Sequence, residues 1–185
     1  GGKTPSARIR GLSGAGVAMD AKWGADVLNP AGLVSLSRRE IALSTATLPG
    51  GGNQLAVLWA APWLSGISWA HSAHFSGDAL AGEMTFQSDF ALDWSFFSAW
   101  LAGMASAISI KGYALQAGHS GTGFARSTGE GLGTGLNLSA QWTLSPSMRL
   151  GFMIEDLVSA IQFRNTLTGQ SYRENIPARL TGGIA

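Results

Sequence analysis

Asp93 and Lys111 are the residues in this chain best placed by type and spacing to form a charged pair. Both fall on the polar face of segments that alternate apolar and polar residues, and they flank a turn centred near Ala102. A symmetric hairpin sets them opposite each other across adjacent strands, where opposite charges contribute roughly 0.2–1 kcal/mol. Such a pair either has a working role on an internal face or simply fixes register; the second is the plainer reading. His71 and His74 lie three apart, so they cannot share a strand face. A metal site there needs a bend and further ligands with supported geometry. Glu155 and Asp156 are adjacent carboxylates that point to opposite faces near a strand end, which does not suit paired acid–base chemistry. His119 and Ser120 are neighbours in a glycine-rich stretch with no orienting acid, so a solvated loop tip suits them better than a nucleophile–base pair. Gly131-Leu132-Gly133-Thr134-Gly135 superficially resembles a phosphate loop, but it lies inside an alternating strand and implies no nucleotide site. There is no cysteine, which excludes a disulfide framework, a thiolate nucleophile and a cysteine zinc site. The residues point to no enzyme, no metal and no cofactor.

The elements that must position these residues are strands. Eight stretches alternate at roughly bilayer-spanning length: 40–48, 54–61, 65–75, 88–100, 104–117, 131–142, 147–161 and a last one from about Ile176 to Ala185. Leu132, Thr134, Leu136, Leu138, Ala140 and Trp142 face one way in the cleanest of them, against Gly133, Gly135, Asn137, Ser139 and Gln141. Most gaps alternate short and long. The short ones are Ala61–Leu64, around Leu101–Gly103 and Thr143–Pro146; the long ones are Ser76–Gln87, Gly118–Glu130 and Gln162–Asn175. Pro49–Gly52 is a shorter gap on the long-loop side. Tight turns on one side and longer loops on the other are the pattern of outer-membrane barrels. A spanning strand needs about 9–11 residues, whereas soluble strands usually have about 5–6.

Composition agrees with strands in a membrane. Of 185 residues, 12% are charged, about half the usual ~25% of a soluble domain. From Ile41 to Gly77 there is no Asp, Glu, Lys or Arg, yet Ser, Thr, Asn, Gln and His interrupt every window of ~18 apolar residues that a membrane helix requires. Asp78, Glu83, Asp89, Arg126, Glu130, Arg164, Arg173 and Glu174 sit in or beside the expected long loops. The strand charges Asp93, Lys111, Arg149 and Glu155 all fall on the polar, lumen-side face. Trp63, Trp100 and Trp142 lie at the short turns, where they would form one interfacial belt. The alternative is a set of core tryptophans in a soluble barrel. A net charge of +1, with no basic run and no stacked-aromatic module, gives no sign of a nucleic-acid partner, and none is expected.

Residues 1–38 read differently, as a compact lead-in punctuated by Gly11, Gly14, Gly16, Gly24 and Gly32. Pro30 fixes φ and biases Asn29 away from helix, and Gly32 permits close approach to a neighbouring wall. A chain that begins Gly1-Gly2-Lys3 suggests a removed signal peptide or a fragment.

Ala7-Arg8, Gly14–Ala18, Trp23, Asn29-Pro30-Ala31-Gly32-Leu33 and Arg39–Ser44 together resemble the start of FadL-related outer-membrane proteins, and most nearly the PorV/PorQ-like branch. Gly131–Leu136, Met148–Gly151 and Ile176–Gly183 are similar to later parts of that family. The resemblance implies an N-terminal hatch over residues 1–38, with Asn29, Pro30, Ala31 and Gly32 as its motif, inside an antiparallel transmembrane β-barrel begun by residues 39–185. Barrels of this family have 14 strands, within the range of bacterial outer-membrane barrels; about eight are visible, so the carboxy-terminal half is expected to be absent. FadL-type members pass hydrophobic compounds inward, and PorV-type members serve type IX secretion. The expected partners are therefore outer-membrane lipid and either hydrophobic small molecules or secretion-system proteins. A soluble β-sandwich binding module is the alternative.

Overall fold

The computed structural model describes residues 15–18, 29–47, 52–78, 81–118 and 129–185. Its strands are β1 (Glu40–Thr47), β2 (Asn53–Leu64), β3 (Ile67–Gly77), β4 (Ala81–Asp93), β5 (Met104–Ala117), β6 (Gly129–Ser145), β7 (Met148–Asn165), β8 (Ser171–Glu174) and β9 (Arg179–Ile184). They form one antiparallel sheet in sequence order from β1 to β8, with β9 also paired to β7. β1 does not pair with β8 or β9, so the sheet is open among the described residues.

Alternation decides which side chain faces where, because successive residues of a strand point to opposite faces. Ile41, Leu43, Leu55, Val57, Phe86, Ile110, Leu132 and Val158 share one face and are exposed there, Ile41 by 77% and Val158 by 70%. The opposite, inner face carries the polar residues and is the buried one: Asp89 and Asn137 are fully buried, and Ser68, Ser109, Ser139 and Gln141 nearly so. This inverts the usual arrangement, in which large apolar side chains are inside and polar ones outside.

The strand boundaries correct three expectations. The expected long loop Ser76–Gln87 is mostly strand: β4 starts at Ala81, with Met84 opposite Phe75 and Phe86 opposite Ala73 on the outer face. Glu83 and Asp89 are therefore strand residues on the inner-face parity, not loop charges. The expected strand over 88–100 instead ends at Asp93, whose carboxylate accepts the Ser95 N–H at 2.8 Å. That side-chain cap starts a 3-10 turn at Trp94–Phe96, followed by another at Ala99–Leu101, and local caps of this kind compete with the ladder. The expected last strand, from about Ile176, is only the short β9, and the expected loop Gln162–Asn175 contains the short strand β8, paired with β7. Pro177 lies between them and has no N–H to give a ladder.

β7 is interrupted as well. Its register against β6 shifts between Leu136 paired with Val158 and Leu138 paired with Ile154, so Glu155, Asp156 and Leu157 oppose Asn137 alone. Asp156 adopts φ 53° there, a left-handed conformation that Asp tolerates better than most side chains. The two extra residues keep the inner and outer parity of the strand on both sides of the bulge.

Candidate functional site

The inner face holds part of the lead-in. The 3-10 turn Pro30–Ser35 lies against it, and Leu33 is buried among Leu58, Ala60, Ala70, Ala91, Ala105 and Ala107. Small side chains from four strands thus leave room for one leucine, and close packing makes such a seat specific. Pro30 starts the turn, where its missing N–H costs no hydrogen bond. Asn29 is extended, as a residue before proline prefers, and its side chain caps the turn by accepting the Ala31 N–H at 3.1 Å.

Asn29 also joins the lead-in to the sheet. Its Nδ2 donates to Val17 O at 2.6 Å and to Ala140 O at 3.1 Å. The Ala31 N–H donates as well to Ser139 Oγ at 3.1 Å, and Gln141 Nε2 donates to Ala18 O at 3.0 Å. Buried amides and carbonyls need partners, and here β6 supplies them through inner-face side chains. All four motif residues, Asn29, Pro30, Ala31 and Gly32, are buried in this seat. The rest of the lead-in, including Gly11, Gly14, Trp23 and Gly24, lies outside the described residues, as do His119, Ser120 and Arg126.

Further along the inner face is a charge cluster. Lys111 Nζ lies 3.2 Å from Asp156 Oδ1 and 3.9 Å from Glu155 Oε1, with its side chain 3% exposed. Tyr113 OH donates to the same Asp156 oxygen. Lys111 and Tyr113 belong to β5 and Asp156 to β7, with β6 between them. The contact passes over Gly135, which stands directly beside Lys111 in the β5–β6 register. A Cβ on Gly135 would lie 2.9 Å from Asp156 Oδ1 and 3.1 Å from Tyr113 Cε2. The missing side chain is what lets charges two strands apart touch.

The expected Asp93–Lys111 pair does not form. Asp93 stands opposite Ala105, and Lys111 stands between Gln87 and Gly135. The ten residues of 3-10 turn and connection between Asp93 and Met104 take up length that a symmetric hairpin would have assigned to strand. Lys111 and Glu155 are brought together, with Asp156 as the nearer acid. The expectation that Glu155 and Asp156 face opposite sides fails at the bulge, which turns Asp156 inward too. Arg149 is half-buried near the short-turn end and donates from Nε to Thr143 Oγ1 at 3.1 Å. Trp63, Trp100 and Trp142 are exposed at the short-turn end, and Trp63 stacks on Trp69 at 5.7 Å. His71 and His74 are on opposite faces; His71 is exposed, with Nδ1 2.9 Å from Ser88 Oγ. Among the described residues, no group of three His, Asp or Glu is placed to hold a metal.

The sequence marks Asn137, Ser139 and Gln141 only as the polar face of their strand and does not single out Tyr113. Their one signal is polarity at inner-face positions of otherwise small-residue strands. At the long-loop end, a pocket of about 610 Å³ is lined by Glu83, Glu130, Arg164 and Tyr172 among others. Among the described residues no helix is long and apolar enough to cross a membrane, which says nothing about strands. Comparisons with protein-family models, with curated proteins and with solved structures found no match.

Proposed function

We propose that this chain forms the wall and hatch of a bacterial outer-membrane β-barrel, FadL/PorV-like, that moves hydrophobic compounds or exported protein across the outer membrane without catalysis. One observation carries the reading: the sheet buries its polar face and exposes its apolar one. Contiguous apolar surface of that extent is rare on a soluble monomer, whereas a lipid-facing sheet requires it.

Other features support it. Strands β2 to β7 have 11 to 18 residues, enough to span a bilayer even when tilted. Asp89, Lys111 and Glu155 sit on the face turned from lipid, where charge costs less. The exposed Trp63, Trp100 and Trp142 share the short-turn end, as an interfacial belt would. The seating of the lead-in on the inner face by Asn29, Ser139 and Gln141 supports the hatch reading.

Cell fractionation with heat-modifiable gel mobility in detergent tests the reading. Recovery in the outer membrane with a heat-dependent shift is expected. Co-purifying hydrophobic compounds or a stable protein partner would then separate the two kinds of cargo. A soluble protein independent of detergent would overturn the membrane reading and leave a β-sandwich binding module.

A further inference from the structure

We propose that the Asp156 bulge is a charge latch, in which Lys111 and Tyr113 hold shut a seam in the sheet between β7 and its partners β8 and β9. The seam is visible in the pairing. β8 pairs with Ile161–Arg164 and β9 with Leu150–Glu155, so residues 156–160 have no ladder partner on that side. The connection that passes them, residues 175–178, contains Pro177. A side chain does the ladder's work there: Ser159 Oγ donates to Ile176 O at 3.0 Å.

The opposite side of β7 is weakened at the same level. The Asp156 N–H donates to the Asn137 side-chain oxygen at 2.9 Å instead of to a backbone carbonyl. Asp156 is held at positive φ, a conformation less favourable for Asp than for glycine and stabilised by its surroundings. Those surroundings are Lys111 and Tyr113, reaching across Gly135. Ser109 Oγ and Asn137 Nδ2, opposite each other in the β5–β6 register, are buried and have no hydrogen-bond partner among the described residues. The latch rests on inner-face geometry and so does not depend on whether lipid or protein covers the outer face.

Hydrogen exchange of the folded full chain, resolved to single peptides, tests it on Lys111→Met, Lys111→Arg, Tyr113→Phe and Asp156→Gly. The probes are the amides of residues 156–159, with β2 and β3 peptides as controls. Lys111→Met should speed seam exchange about tenfold or more, the scale of losing a hydrogen-bonded charge contact, and leave the controls unchanged. Tyr113→Phe should act in the same direction more weakly, and Lys111→Arg should stay near the parent. Adding Asp156→Gly to Lys111→Met should slow the seam again, because glycine accepts positive φ without enforcement. Unchanged seam exchange in Lys111→Met and Tyr113→Phe would overturn the latch. So would equal acceleration in the control peptides, which would make the cluster a general stabiliser. Failure of the added glycine to slow the seam would overturn the held-strain element.

Discussion

Gly151 lies directly beneath the backbone of Val17, so the lead-in touches the sheet wall with no side chain between them. A Cβ added to Gly151 would fall on the Val17 carbonyl and come within 2.8 Å of Ala18 Cα. Backbone atoms cannot swing aside as a flexible side chain can. Gly151→Val should therefore displace residues 15–18 and cost about 1–3 kcal/mol, the range for overpacking. Limited proteolysis should cut the lead-in of the variant faster while the strands stay resistant. Equal resistance in both proteins would mean that the lead-in does not rest on this glycine.

Asn29 ties both sides of that contact. Its replacement by Ala removes the side-chain donor to Val17 O and Ala140 O and the turn cap. The expected loss is about 1–3 kcal/mol, set by the unsatisfied buried groups. Asn29→Asp should be worse than its shape suggests, since it sets a carboxylate against two carbonyls. Denaturant midpoints of the two variants check this. A midpoint within error of the parent in both would remove Asn29 from the seat.

The charge pairing separates cleanly in double-mutant cycles. Lys111 and Asp156 should couple by about 0.5–3 kcal/mol, as residues in contact do. Asp93 and Lys111 should couple by nothing measurable, because Asp93 caps the turn at Ser95 instead. Asp93→Ala alone should cost about 0.5–2 kcal/mol, the range for losing a cap. Coupling of Asp93 to Lys111 comparable to that of Asp156 would contradict the register.

The outer face gives a directional prediction. Leu132, 69% exposed on β6, should tolerate Arg poorly if lipid covers it, at about 2–4 kcal/mol near the bilayer midplane and less toward an interface. Bathed in water, the same change should cost close to nothing. Unfolding in lipid, with Leu132→Gln as the neutral comparison, distinguishes the two.

The sheet was legible where alternation is unbroken. The ends of Met104–Ala117 agree between pattern and structure, β6 differs only by extra residues at its rims, and β7 differs by its longer far end and by the bulge at Asp156. Legibility failed where a local interaction overrides the period. Phe90, Leu92, Trp94 and Phe96 keep period two, yet the Asp93 carboxylate caps a turn and ends the strand in their midst. The Asp156 cluster was hidden for a related reason: adjacent carboxylates face opposite ways only in a regular strand, and no pattern in the sequence marks a bulge. Gly135 likewise reads as a weak strand residue until the side chains passing over it are known. The buried lead-in motif was visible as a pre-proline turn, but its partners Ser139 and Gln141 lie more than a hundred residues away.

Spin labelling along β2 tests the central claim most directly, since the absence of cysteine lets single labels be placed at will. Labels at Leu55 and Val57 belong to the apolar outer face, and labels at Gln54 and Ala56 to the inner one. In membranes, collision with oxygen should be high and collision with a water-soluble nickel chelate low at 55 and 57, with the chelate gaining no comparable exclusion at 54 and 56 through lipid. Free access of the nickel chelate to 55 and 57 would contradict a lipid-facing wall.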